Sequence, residues 1–80
     1  MPLINVKVME NVLTSEQKHE IATRFTDDFA DIVGQAVRPL TWVIVEDVRS
    51  GQLVIGGDAV TTEAVKQLLA ADREPAAANR

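Results

Sequence analysis

Pro2-Leu3-Ile4-Asn5-Val6-Lys7-Val8 opens the chain directly after Met1. Apolar and polar side chains alternate here with a period of two, and branched residues dominate. That is the pattern of a β-strand covered on at least one face. The proline stands where the strand begins, a position that makes no use of the N–H it lacks. Initiator methionine is commonly trimmed before a small residue, so Pro2 is expected to become the true terminus. Its nitrogen is then a secondary amine held in place by a strand. An ordinary α-amino group titrates at about 7.7–8.0, and burial or a neighbouring cation lowers an amine's pKa. Neutral near physiological pH, such an amine can serve as a general base or a nucleophile.

Downstream, Thr14-Ser15-Glu16-Gln17 has the spacing of a capping box. A helix is predicted from about Ser15 to Val33, with Ile21, Ala22, Phe25, Phe29, Ile32 and Val33 as its apolar stripe. Thr23, Arg24, Asp27, Asp28 and Asp31 fall mostly on the opposite side. Gly34 is placed to stop the helix in a left-handed conformation. Arg38-Pro39-Leu40 then turns the chain into a second strand, Thr41 to Val48. Strand, helix and strand of these lengths imply a parallel βαβ unit with a right-handed crossover.

Ser50-Gly51 marks a turn, Gln52 to Ile55 reads as a short strand of a hairpin, and Gly56-Gly57 ends it. Thr61 and Thr62 are alternative N-caps of a short helix expected to end near Ala71, with Val65, Leu68 and Leu69 as a narrow apolar stripe. The fold class is thus α/β of the α+β kind: a βαβ unit, a C-terminal hairpin and a short C-terminal helix. Residues 1–71 are expected to form one domain. Residues 72–80, including Glu74-Pro75-Ala76-Ala77-Ala78, read as a flexible tail.

Eighty residues suffice for one domain, but a chain this short buries only about 60–65% of its unfolded surface. With no cysteine and one histidine, disulfides and the usual zinc arrangements are unavailable. Yet 46% of the residues are apolar, which makes oligomerisation the expected route to stability. A net charge of −4 argues against nucleic-acid binding. Two Phe, one Trp and no Tyr leave no aromatic platform for stacked bases. No signal-peptide pattern and no apolar run of membrane-spanning length is visible, so a soluble cytoplasmic protein is the expectation.

Other apparent motifs are incomplete. Gly51 to Gly57 imitates a phosphate loop without the following Lys and Ser/Thr, and His19-Glu20 lacks a second histidine because position 23 is Thr. No metal site is predicted. Glu46 and Asp47, as neighbours on a strand, point to opposite faces.

Together, Pro2 to Val8, the Thr14-to-Lys18 helix entry, Pro39-Leu40-Thr41 before a strand, and Ile55-Gly56-Gly57 resemble the tautomerase superfamily. The similarity is to its short-chain, 4-oxalocrotonate tautomerase-like branch, and covers roughly residues 2–57. The resemblance implies protomers that pair through their sheets and assemble as hexamers, with a trimer or dimer as alternatives. It also implies that Pro2 is the general base moving a proton between carbons of a keto or enol acid, with no metal or organic cofactor.

Members of that family carry an arginine just after the first strand, where this chain has Asn11-Val12. A second family arginine aligns with Trp42 across a two-residue gap before Pro39, and a hairpin aromatic falls on Leu53. Arg38 and Arg49, which flank the second strand, are the substitutes expected to bind a substrate carboxylate and to reach a neighbouring protomer's Pro2. Trp42 and Leu53 would make that pocket more apolar. The expected activity is tautomerisation of a small unsaturated keto acid or phenylpyruvate-like enol. One alternative is a hydratase or dehalogenase in which protonated Pro2 is the acid and Glu46 or Asp47 activates water. The other is a non-catalytic oligomeric binding protein of the same fold.

Overall fold

The computed structural model describes residues 2–79, with side chains through Asp72. In chain order the elements are β1 (Leu3–Met9), α1 (Ser15–Val33), a 3-10 helix (Gln35–Leu40), β2 (Trp42–Val48), β3 (Leu53–Ile55), β4 (Asp58–Val60) and α2 (Thr62–Asn79). This is the α+β order expected. The chain divides into two units, Met1–Val8 with Leu13–Asp47, and Met9–Val12 with Val48–Arg80.

In the first unit β1 and β2 form a two-stranded sheet. The Trp42 N–H donates to the Pro2 carbonyl at 2.9 Å, while further along Lys7 donates to Glu46 Oε1 at 3.2 Å. Both strands climb together from these contacts, so they are parallel. Ile4, Val6, Val43 and Val45 are half-buried, whereas Leu3, Asn5, Lys7, Trp42, Ile44 and Glu46 are exposed. One face of the sheet is therefore covered and the other bare.

The capping box of α1 forms as predicted. Gln17 N–H donates to Thr14 Oγ1 at 3.0 Å, and Thr14 N–H donates to Gln17 Oε1 at 2.9 Å. At the far end Gly34 takes φ 139° and ψ 146°, and its N–H donates to the Ala30 carbonyl. The positive φ was expected, but ψ is extended rather than left-handed helical. The space around Gly34 is open, so backbone conformation and not crowding favours glycine there. The covered stripe is rotated from the predicted one. Ala30 is 1% exposed, with Ile21, Ala22, Thr26 and Phe29 half-buried, while Phe25, Ile32 and Val33 stand in solvent. The helix carries an apolar arc wider than the strip that is covered, and its one buried residue is the small alanine.

In the second unit β3 and β4 pair antiparallel, with Leu53 opposite Val60 and Ile55 opposite Asp58. The turn between them is Gly56-Gly57, at φ 59° and 88°. Positive φ at both central positions is what a two-residue turn of type I′ requires. The hairpin thus folds about Gly56-Gly57, where the sequence predicts only the end of a strand, and Asp58–Val60 adds a second strand beyond that expectation. Thr61 is the cap of α2, because the Ala64 N–H donates to its Oγ1 at 3.1 Å. Thr62, only 4% exposed, turns its hydroxyl elsewhere.

α2 runs on to Asn79 instead of ending near Ala71, so the backbone of residues 72–79 is helical where a flexible tail was expected. Alanine and glutamate favour helix in that run. Arg80 lies outside the described residues. Of the apolar stripe, Val65 is half-buried while Leu68 and Leu69 are exposed. No described helix is long and apolar enough to cross a membrane. Among described hydrophobic residues Met9 and Ala30 are the buried ones, and no large side chain is fully enclosed.

Candidate active site

Pro2 is half-buried and directly precedes β1. Lacking an N–H, it takes part in the sheet only as an acceptor, through the bond from Trp42. That bond ties the residue carrying the expected base to the first rung of the ladder. Pro2 and Trp42, two of the predicted site residues, are thereby brought together. The Trp42 side chain is 66% exposed on the bare sheet face, beside Leu3 and Ile44 on the same side of their strands. Met1, and with it the expected trimming, lies outside the described residues.

Arg38 sits in the 3-10 helix and its guanidinium pairs with Asp27 of α1. This cation is already engaged by a carboxylate. Lys7 pairs with Glu46, Lys18 with Asp47 and Arg24 with Glu20. Glu46 reaches β1 residues while Asp47 reaches the helix, which agrees with their predicted opposite directions. The Asn5 amide donates to Glu46 Oε1, and this bond followed by the Lys7 ammonium holds the Glu46 carboxyl below its ordinary pKa. A carboxylate so held is a poor water-activating base.

Arg49 and Leu53 belong to the second unit. Leu53, at the start of β3, is 43% exposed. Arg49 follows β2 directly, is exposed, and has no carboxylate partner among the described residues. Its flanks are held: the Glu10 N–H donates to the Val48 carbonyl at 2.8 Å, and the Ser50 N–H donates to Glu10 Oε2 at 2.7 Å. The Gln52 N–H donates to the carbonyl of Arg49 itself at 3.0 Å. Sequence reading missed Glu10 altogether. A lone carboxylate after a strand carries no local signal, since its partners are 40 positions away.

A shallow groove lies along α1, lined by Leu13, Gln17, Glu20, Ile21, Arg24 and Phe25. None of the predicted site residues lines it.

Strand, capped helix, parallel strand, hairpin and a proline on the first rung occur here in the order of one known family. Residues 2–63 match the family described as tautomerase enzyme. The chain belongs to the tautomerase family. A curated relative, "Probable tautomerase K2" of Dickeya dadantii (strain 3937), is 32% identical over 62 residues, spanning 76% of this chain and 90% of the relative. No solved structure matches this chain. The match begins at Pro2 and ends just inside α2, so the tautomerase region contains every predicted site residue but not most of the last helix.

Proposed function

We propose that this tautomerase interconverts the enol and keto forms of a small unsaturated keto acid, with Pro2 as its general base once Met1 is removed. The observation that carries the proposal is the seat of Pro2. It is half-buried, and its carbonyl is bonded to the Trp42 N–H at the start of the sheet. A secondary amine so anchored cannot fray, and partial burial favours its neutral form. In the ketonisation direction the amine accepts the enol hydroxyl proton, the O–H electron pair becomes the carbonyl, and the ammonium returns a proton to carbon. Atoms and charge balance over the cycle.

Arg49 is assigned to the substrate carboxylate, because Arg38 is neutralised by Asp27 while Arg49 is unpaired among the described residues. Trp42 is assigned as an apolar wall beside Pro2 of its own unit, and Leu53 as one carried with Arg49 to the neighbouring protomer. The site is completed by assembly, with Arg49 serving a neighbouring protomer's Pro2. Support for assembly comes from the bare sheet face and the exposure of Leu3, Trp42, Ile44, Val54, Ile55 and Leu68. Apolar surface on this scale signals an interaction face. A homohexamer working in the cytoplasm is the favoured state.

The test combines intact mass with enol ketonisation followed by absorbance, using phenylenolpyruvate. Loss of one methionine is expected. Pro2→Ala is expected to keep the assembly and slow turnover by about two orders of magnitude or more. Retained Met1, whose acylation turns the proline nitrogen into an amide, or an unchanged rate in Pro2→Ala, would refute the reading.

A further inference from the structure

Around Arg49 the second unit closes a ring of polar contacts that the general-base mechanism does not use. The Ser50 N–H donates to Glu10 Oε2 at 2.7 Å, the Thr62 N–H donates to Ser50 Oγ at 3.0 Å, and the Thr62 hydroxyl donates to the Glu10 carbonyl at 2.8 Å. The ring joins the end of β1, the turn after β2 and the start of α2. Thr62 is its enclosed member at 4% exposure, and Glu10 and Ser50 are half-buried.

Glu10 has a special place in this ring. Its own N–H holds the carbonyl of Val48, the residue before Arg49, and its carboxylate holds the N–H of Ser50, the residue after. One residue thus clamps the backbone on both sides of an exposed arginine. A guanidinium on a long, rotamer-rich stem recognises a carboxylate well only when its base is fixed.

We infer that Glu10 is a positioning residue, which aims Arg49 at the carboxylate of the substrate. The inference rests on the assignment of Arg49 made under Proposed function. Glu10 touches no reacting atom; it sets where the guanidinium starts from. The carboxylate suits this task, because a backbone N–H bonded to a charged acceptor is held more firmly than one bonded to a neutral group. The Thr62 hydroxyl holds the Glu10 backbone in turn, so the last helix start is the outer support of the clamp.

The test is steady-state ketonisation of phenylenolpyruvate by the full chain, with wild type, Glu10→Met, Glu10→Gln, Arg49→Ala and the Glu10→Met/Arg49→Ala double variant. Arg49→Ala is expected to raise KM by about tenfold or more, the scale of a lost charge-assisted bond. Glu10→Met is expected to raise KM by about fivefold with kcat nearly kept, since only uniform binding is lost. Glu10→Gln retains an acceptor for the Ser50 N–H and should restore most of the wild-type KM. In the Arg49→Ala background Glu10→Met should add nothing.

An equal KM increment in both backgrounds, or no increment when Arg49→Ala alone raises KM, overturns the role of Glu10 and leaves the Arg49 assignment standing. An unchanged KM in Arg49→Ala overturns both. Should Glu10→Met fail to assemble, Thr62→Val, which removes only the hydroxyl donor, takes its place. A raised KM with kept kcat then supports the clamp, and a wild-type KM refutes it.

Discussion

Trp42→Ala tests whether the bare face of the β1/β2 sheet is a subunit interface, and the expected size of its effect follows from exposure. A tryptophan side chain offers roughly 150–250 Å². With Trp42 66% exposed, roughly 100–165 Å² is left for a neighbouring subunit to cover. At about 25 cal/mol per Å² this is worth about 2.5–4 kcal/mol per protomer. Alanine keeps only a small part of that surface, so about 2–3 kcal/mol per protomer is lost.

A two-fold interface contains the residue twice. The dimer should therefore weaken by about 4–6 kcal/mol, or roughly three to four orders of magnitude in its dissociation constant. The Trp42 contact to Pro2 runs through the backbone N–H, which alanine retains, so the seat of Pro2 survives the change. Sedimentation equilibrium over a wide range of protein concentration reads the outcome, with His19→Ala on the exposed side of α1 as a control expected to behave as wild type. If Trp42→Ala assembles at the same concentrations as wild type, the outer sheet face is not where subunits meet.

Three further outcomes are expected. Thr14→Ala removes the acceptor of the Gln17 N–H and should cost about 1 kcal/mol, lowering Tm by about 4–8 °C in a domain of this size; an unchanged melting curve would mean the box adds nothing. Gly34→Ala places a Cβ at φ 139° and should destabilise by about 1 kcal/mol or more, although the space around it is open; a neutral result would show that the backbone there can relax. For Glu46, removing the amide in Asn5→Ala or the ammonium in Lys7→Ala should raise the carboxyl pKa toward its ordinary 4.5, as read by carboxyl NMR titration. A group whose folded pKa is depressed contributes stability above its unfolded pKa and loses it as pH falls through the folded value. The Asn5–Lys7–Glu46 contacts should therefore weaken only in acid below 4.5, and a titration unaffected by both variants would remove them as the cause.

Much of the framework was legible in the chain because it is written in local rules. The alternation of Leu3 to Val8 marks β1, and the Thr14-to-Gln17 spacing marks the start of α1. Gly34 marks its end. Each of these rests on contacts within a few residues, which side-chain type and spacing control directly. The hairpin was half legible: Gly56-Gly57 announced a break, but only pairing with Asp58–Val60 made it a turn. The end of α2 lies beyond the expected Ala71, because an alanine run carries no local stop signal.

By itself the sequence determined a proline at the head of a strand, a parallel βαβ unit, and an apolar share of 46% in a short chain, from which an oligomer is expected. Tertiary structure alone decided which side of α1 is covered, with Ala30 buried and Ile32 in solvent. It also decided that Arg38 is spoken for by Asp27, and that Glu10 grips the turn around Arg49. The physical reason is range. Periodicity and capping depend on neighbours along the chain, whereas the freedom of Arg38 depends on a carboxylate 11 positions away and the hold on the Ser50 N–H on one 40 positions away.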